Sequence, residues 1–304
     1  MPLSQAHNSD ETIAVIGAGL MGTGIAHAII TSGRKASLVD TDSSALERAF
    51  SNIAKILDDG VKRGKVDDLE AQAAVKRLKT FNSLSDALDQ SVSLLIETVS
   101  ESLEAKIAVL SIADAELPDE TILATNTSAL SISEIAASTK RPDKVIGMHF
   151  FNPVHKMKLV EIVRGLSTSA ETVETTKRWV DQLNKISIVV RESPGLTTSR
   201  MSALLGNEAM YMLSEGLASA EDIDAAMRGA FNHPMGPLEL GDLTGWDTRL
   251  SVLQHLHKTL GEKYRPCPLI LTMVKAGRFG RKTGHGIYRY EDGKRIANSG
   301  MATR

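Results

Sequence analysis

Apolar positions in the first two thirds of the chain alternate between a strand-like and a helix-like spacing. Short apolar runs predict strands at Thr12–Ile16, Lys35–Asp40, Ser93–Thr98, Ile122–Thr125, Val145–His149 and Lys158–Val163. Between them, apolar residues at helical spacing predict helices over Ser43–Gly60 and Leu103–Ala115. Strands that alternate with helices are typical of βαβ units. The pattern therefore predicts an α/β fold with a doubly wound, parallel sheet.

The pattern changes at the chain-breaking segment Ser193–Gly195, after which the spacing is mostly helical. Helices are predicted over Ser199–Glu215, from a capping residue at Ser219, and over a long segment from about Leu238 to Leu260. The sequence therefore predicts two domains, an α/β domain over residues 1–192 and a mostly helical domain over residues 193–304.

Composition and charge exclude several classes of protein. The 304 residues are 42% hydrophobic, and 35 basic against 37 acidic residues give a net charge of −2, which offers no argument for a nucleic-acid or membrane partner. A single cysteine, Cys267, excludes an internal disulfide and fits a reducing compartment. The polar first residues lack the apolar core of a secretory signal, and no apolar run could cross a bilayer. We expect a soluble, cytoplasmic protein.

A glycine-rich segment lies between the first predicted strand and a helical pattern. It reads Gly17-Ala-Gly-Leu-Met-Gly22, the G-x-G-x-x-G fingerprint of dinucleotide-binding folds. Gly17 would permit a tight turn, Gly19 close approach of a pyrophosphate, and Gly22 close packing of helix and strand. The backbone amides at the helix N-terminus, at Leu20 and Met21, would bind the phosphates. The alternative is a purely structural turn.

An acidic residue, Asp40, ends the second predicted strand. In this fold a carboxylate at that position accepts hydrogen bonds from the adenosine ribose and repels a 2′-phosphate. The following Thr41–Ser44 adds another acid and no arginine. The sequence therefore predicts NAD, rather than NADP, as the cofactor.

One histidine and one glutamate, His149 and Glu161, lie twelve residues apart in apolar surroundings. Oxidation of a secondary alcohol needs a base, and histidine suits that role because its ordinary pKa is near neutrality. A carboxylate could orient the imidazole and stabilise its protonated form. From these residues alone, a structural histidine remains an open alternative.

Ordered motifs across residues 12–290 resemble the short-chain L-3-hydroxyacyl-CoA dehydrogenases, particularly the bacterial 3-hydroxybutyryl-CoA dehydrogenases. These motifs are Gly17–Gly22, Glu97–Glu101, Asn126–Leu130, His149–Pro153 with Lys158–Glu161, Pro234–Leu240 and Gly280–Gly286. The resemblance implies a Rossmann-type domain followed by a helical domain that closes the substrate cleft and forms a homodimer. It also implies reversible, NAD-dependent oxidation of a short-chain (S)-3-hydroxyacyl-CoA, such as 3-hydroxybutyryl-CoA, in β-oxidation or related fatty acid metabolism.

The same resemblance implies roles for individual residues. His149 is similar to the catalytic base and Glu161 to its partner. Ser128 resembles the serine that contacts the substrate 3-oxygen and lies by the cofactor. Asn152 resembles the asparagine beside the nicotinamide and the reacting centre.

Further residues are assigned by resemblance to the cofactor and the CoA moiety. Glu101 and Lys106 resemble residues that line the NAD site, and Lys282 resembles a lysine that reaches NAD from the second domain. The basic residues Lys62 and Arg63 follow a predicted helix where the family places CoA contacts; a solvated charged loop is the alternative.

The chain departs from the family at Ser199, where many members have asparagine. The shorter serine lacks the amide donor, so its substrate contact could be altered or lost. No spacing of His, Cys and Asp suggests a metal site. Two other functions stay open: a dehydrogenase of a free hydroxy acid such as gulonate, and a non-catalytic, crystallin-like NAD-binding protein.

Overall fold

The computed structural model describes residues 11–301. The first ten residues, which include the segment predicted to lack a secretory signal, lie outside this range. The chain divides into two compact units, and the boundary falls between Glu192 and Ser193.

The first unit is built on an eight-stranded sheet in the order β3-β2-β1-β4-β5-β6-β7-β8. Its strands are β1 (Thr12–Ile16), β2 (Lys35–Val39), β3 (Leu78–Phe81), β4 (Val92–Glu97), β5 (Ile122–Thr125), β6 (Val145–Phe150), β7 (Leu159–Arg164) and β8 (Ile186–Arg191). Its helices are α1 (Leu20–Thr31), α2 (Ser43–Lys62), α3 (Asp68–Lys76), α4 (Leu84–Ala87), α5 (Leu103–Glu116), α6 (Ile132–Ala136) and α7 (Ala170–Gln182). The order of the first six strands is that of a Rossmann fold, so the predicted fold class is confirmed.

Two features of the sheet differ from the sequence prediction. First, β7 runs antiparallel to β6, whereas the other neighbouring strands of this sheet are parallel. Second, β3 and β8 were not predicted. Both are edge strands with partly exposed side chains, so they lack the clear burial pattern that marks the central strands.

The second unit is mainly helical, as predicted. Its helices are α8 (Thr198–Ser214), α9 (Ala220–Phe231), α10 (Pro237–Thr244), α11 (Trp246–Leu260) and α12 (Pro268–Lys275), and a short hairpin follows, formed by β9 (Tyr290–Glu291) and β10 (Lys294–Arg295). The prediction of one long helix from about Leu238 to Leu260 is wrong. Gly245 separates α10 from α11 with a φ of 95°, which lies outside the range of a right-handed helix.

A buried carboxylate, Asp242, organises the end of the second unit. Its Oδ1 accepts hydrogen bonds from the Trp246 indole (2.7 Å) and the Ile287 amide (2.8 Å), and its Oδ2 accepts one from the Tyr288 amide (2.8 Å). A Cβ on Gly286 would lie only 2.0 Å from Asp242 Oδ1. The Gly280–Gly286 motif therefore has a structural function, because it lets the chain fold closely around this carboxylate.

The described residues contain neither a membrane-spanning helix nor a cluster of metal-ligating side chains. None of the helices within residues 11–301 is long and apolar enough to cross a membrane. The same residues contain no group of three or more His, Cys, Asp or Glu side chains placed to hold a metal ion.

Candidate active site

The glycine-rich loop after β1 has the backbone geometry of a phosphate-binding turn. Gly17 adopts a φ of 103°, and a Cβ on Gly22 would lie 1.8 Å from the Gly17 carbonyl oxygen. A Cβ on Gly19 would meet no atom within 4 Å, so open space lies beside the backbone there. Since Gly19 is the N-cap of α1 and carries no side chain, the first amides of the helix, at Leu20 and Met21, face no capping group from that residue. The loop therefore fits a dinucleotide pyrophosphate.

The half-buried carboxylate of Asp40 connects this loop to the loop after β2. Its Oδ2 accepts a hydrogen bond from the Ala18 amide (2.7 Å), and its Oδ1 accepts one from the Asp42 amide (2.9 Å). Each carboxylate oxygen has a second lone pair to offer. Asp40 can therefore accept hydrogen bonds from a ribose while it holds the two loops together.

The antiparallel pairing of β6 and β7 brings His149 directly opposite Glu161. The distance between His149 Nδ1 and Glu161 Oε2 is 2.8 Å, and Glu161 has no exposed surface. A carboxylate at this distance fixes the tautomer with the proton on Nδ1, which leaves the Nε2 lone pair as a proton acceptor. The pair therefore has the geometry of a base and its orienting group.

A second carboxylate, Glu101, connects the loops that follow β4 and β5. Its Oε1 accepts hydrogen bonds from the Thr127 hydroxyl (2.6 Å), the Ser128 amide (2.9 Å) and the Ser128 hydroxyl (3.3 Å). Burial acts to raise the pKa of Glu101, but these hydrogen bonds and the charge of Lys106 outweigh it and lower the pKa. Glu101 is therefore anionic at neutral pH and holds Ser128 in place.

Lys106 lies in the interior, between two carboxylates. Its side chain is 1% exposed, and its Nζ lies 3.0 Å from Glu97 Oε1 and 3.2 Å from Glu101 Oε2. Lys106 therefore holds the two carboxylates in position beneath the loops. Its contact with NAD, which the family resemblance implies, stays a prediction.

A groove of about 1110 Å³ runs along α1, α2 and the loop that contains Asn152. The nucleotide-loop residues Gly19 and Asp40 lie in its wall. Several basic side chains also line it, namely Arg48, Lys55, Arg63, Lys65 and Lys156. Three aspartates, Asp40, Asp42 and Asp59, line the groove as well, but the basic side chains outnumber them, so the groove as a whole can attract an anionic ligand.

The two residues predicted to bind CoA are not equivalent. Arg63 lines the groove, whereas Lys62 is not among its lining residues. The Lys62 ammonium forms an ion pair one turn back on α2, with Asp58. The structure therefore favours Arg63, together with its neighbour Lys65, over Lys62.

Two predicted site residues belong to the second unit. Ser199 lies in the first turn of α8 and is half-buried. Lys282 forms an ion pair with Asp247, whose Oδ2 is 2.7 Å from Nζ, and its ammonium lies 5.4 Å from the ring centre of Phe279. The charge of Lys282 is thus compensated within its own unit.

Two residues of the site region went unassigned in the sequence analysis. Asn126 Oδ1 accepts a hydrogen bond from the Phe150 amide (2.8 Å) and so fixes the end of β6 beside His149. Thr127 donates the shortest hydrogen bond to Glu101. Both residues belong to the Asn126–Leu130 motif, so the motif itself was the available signal.

Comparisons with known proteins agree with this arrangement. Residues 12–193 match the family model described as 3-hydroxyacyl-CoA dehydrogenase, NAD binding domain, and residues 195–290 match the C-terminal domain of the same family. The chain belongs to the 3-hydroxyacyl-CoA dehydrogenase family. The family predicted from the sequence motifs is therefore confirmed, as are NAD as the cofactor and an oxidoreductase as the class of enzyme.

Several similar members of this dehydrogenase family are bacterial. The chain is 42% identical to a probable 3-hydroxybutyryl-CoA dehydrogenase of Bacillus subtilis, over 92% of this chain and 97% of the relative. It is 42% identical to a 3-hydroxybutyryl-CoA dehydrogenase of Clostridioides difficile, over 91% and 99% respectively. The crystal structure of the (S)-3-hydroxybutyryl-CoA dehydrogenase of Ralstonia eutropha is similar with a TM-score of 0.88 and 40% identity, covering 93% of this chain and 99% of that one.

Proposed function

We propose that the protein oxidises short-chain (S)-3-hydroxyacyl-CoA, such as 3-hydroxybutyryl-CoA, to 3-ketoacyl-CoA, reversibly and with NAD. The observation that carries the proposal is the buried His149–Glu161 pair, whose Nδ1···Oε2 distance is 2.8 Å. The bacterial relatives support the choice of substrate, since two of them are named 3-hydroxybutyryl-CoA dehydrogenases.

In the proposed reaction His149 handles the proton. Its Nε2 accepts the proton of the substrate 3-hydroxyl, and Glu161 stabilises the resulting imidazolium. NAD, when bound, supplies the hydride acceptor for C3. Ser128, held by Glu101, and Asn152 hydrogen-bond the substrate oxygens and orient C3. In the reverse direction the imidazolium returns its proton to the 3-oxygen.

The groove supports CoA as the carrier of the acyl group. CoA carries several phosphates, and the basic side chains of the groove, Arg63 and Lys65 among them, can bind these charges. The rival substrate, a free hydroxy acid such as gulonate, would need no such contacts. The groove therefore favours the CoA thioester.

The decisive experiment is a spectrophotometric assay of NADH oxidation. We expect turnover with acetoacetyl-CoA and little with acetoacetate or with free keto acids related to gulonate. Turnover only with the free acids would reject the CoA thioester, and no turnover with any of them would favour the non-catalytic alternative.

Charge reversal in the groove tests the CoA contacts with a matched pair of variants. Arg63→Glu should raise KM for acetoacetyl-CoA by on the order of tenfold, because it replaces a charge-assisted contact with a repulsive one. Lys62→Glu makes the same charge change one residue away, outside the groove lining, and should have a smaller effect. Equal KM values in both variants and the wild type would remove this loop from the substrate site.

Other predictions rest on the family resemblance. They are homodimerisation through the helical unit, closure of that unit over the substrate, a function in β-oxidation, and a cytoplasmic location. Contact of Lys282 with the cofactor is a further prediction, which depends on that closure. Ser199→Asn, which restores the residue common in the family, should change kcat/KM with acetoacetyl-CoA if this position touches the substrate.

A further inference from the structure

An arginine lies beside the proposed ribose site. The segment directly after Asp40 contains no arginine, but Arg48 lies near the N-terminus of helix α2. Arg48 Nη1 donates a hydrogen bond to the Ser44 hydroxyl (2.7 Å), and Nη2 donates one to Asp42 Oδ2 (3.3 Å). Asp40, Asp42 and Arg48 all line the same groove.

This position matters because of how dinucleotide-binding folds distinguish NAD from NADP. The carboxylate at the end of the second strand binds the ribose 2′-hydroxyl, whereas a nearby arginine accommodates a 2′-phosphate. In this chain the carboxylate of Asp40 and the guanidinium of Arg48 line the same groove. The charges of Asp40 and Asp42 outnumber that of Arg48, so the local balance opposes a phosphate.

Asp42 is closely connected to both other residues. Its amide donates to Asp40 Oδ1 (2.9 Å), and its Oδ1 accepts hydrogen bonds from the Ser44 amide (2.9 Å) and hydroxyl (2.7 Å). The Ser44 hydrogen bonds lower the pKa of Asp42, so this carboxylate is charged at neutral pH.

We propose that Asp42 is a second determinant of cofactor specificity. Its carboxylate pairs with Arg48, so Arg48 does not bind a 2′-phosphate. The contact between Asp42 and Arg48 is exposed, and an exposed pair is weak. Arg48 can therefore turn to a phosphate once the competing carboxylate loses its charge. The proposal rests on the assignment of Asp40 to the cofactor ribose.

The test uses variants that preserve the fold. Asp42 is also the N-cap of α2, so its replacement must retain a capping oxygen. Asp42→Asn meets this condition, since asparagine caps helices about as well as aspartate. Glu47→Gln is the matched control, because Glu47 is exposed on the same helix, is one residue from Arg48 and does not line the groove.

The measurement is the dissociation constant of NADH and of NADPH by titration calorimetry, with thermal unfolding to check the fold. We expect Asp42→Asn to shift the affinity ratio toward NADPH by on the order of tenfold, the contribution of a hydrogen bond to a charged group. Glu47→Gln should leave the ratio unchanged. The double variant Asp42→Asn with Arg48→Gln should return it to the wild-type value.

Other results of these titrations would contradict the proposal. An unchanged ratio in Asp42→Asn overturns the proposal, and so does a gain that survives the loss of Arg48. If wild-type protein binds no NADH, the assignment of the ribose site fails as well. Intact NADH binding with an unchanged ratio overturns the specificity proposal alone.

Discussion

Two histidines of the first unit, His149 and His27, are each 8% exposed but have opposite surroundings. His149 Nδ1 is 2.8 Å from the buried carboxylate of Glu161. His27 Nδ1 is buried without a hydrogen-bond partner in the described part of the chain, and its ring centre is 6.1 Å from that of His155. Burial, together with the charges of His155 and Lys185, lowers the pKa of His27 to about 4.

Burial alone does not suit a histidine to proton transfer. A buried imidazolium needs a compensating charge, since desolvation disfavours the charged form. Glu161 supplies that charge to His149, whereas the neighbours of His27 are themselves basic. Of these two histidines, His149 alone has a buried carboxylate beside it that can stabilise a proton taken up during turnover.

Replacement of the base should have the largest effect. We expect His149→Gln to lower kcat by roughly 10²–10⁴-fold, the contribution of a positioned acid–base group, and to leave NADH binding almost unchanged. Steady-state kinetics and NADH titration measure both quantities. His257→Gln is the control, because His257 also contacts a glutamate, Glu262 at 3.1 Å, but on the surface of the second unit. A loss of NADH affinity with little loss of kcat would make His149 structural.

Replacement of the carboxylate should have a smaller effect. In Glu161→Gln the amide oxygen can still accept a hydrogen bond from His149 Nδ1–H, but the charge that stabilises the imidazolium is lost. We expect kcat to fall by about 10- to 100-fold, since a hydrogen bond to a charged group contributes roughly 1.5–3 kcal/mol. A fall as large as that of His149→Gln would show that Glu161 does more than support the base.

Protonation of His27 should affect the stability of the protein rather than its catalytic rate. In the folded protein His27 takes up a proton only near pH 4, whereas in the unfolded chain it does so near its ordinary pKa of 6.5. Between these values the unfolded state binds more protons, so the free energy of unfolding should fall by about 3 kcal/mol as the pH is lowered through this window. Urea unfolding of the wild type and of His27→Gln at several pH values measures this fall in the free energy of unfolding. The same pH dependence in both proteins would contradict a lowered pKa for His27.

The sequence was sufficient for the parts of the site that follow from local pattern. Two apolar strands joined by a short loop already place His149 and Glu161 on neighbouring strands. The glycine fingerprint locates the nucleotide-binding loop. The break at Gly245 was missed because the apolar pattern continues across it, while only the backbone conformation changes.

Other features depend on contacts between distant segments and so could not be predicted from pattern. Lys106 is charged and occurs in a helix, which suggests an exposed residue, yet Glu97 from a central strand holds it in the interior. Arg48 lies on α2, beyond the loop that follows Asp40, so the residues next to Asp40 do not indicate that it belongs to the groove wall. The lack of a hydrogen-bond partner for His27 Nδ1 among residues 11–301 is likewise a property of the packed structure.

The hydrogen bonds at Glu101 have a consequence for how Ser128 could respond to a ligand. Three donors share one carboxylate oxygen, and the Ser128 hydroxyl makes the longest of the three contacts, at 3.3 Å. The shorter contact from the Ser128 amide fixes the position of the backbone whether or not the hydroxyl contributes. The hydroxyl can therefore rotate toward a newly arrived oxygen at small cost, which makes Ser128 an anchored residue with an exchangeable proton donor.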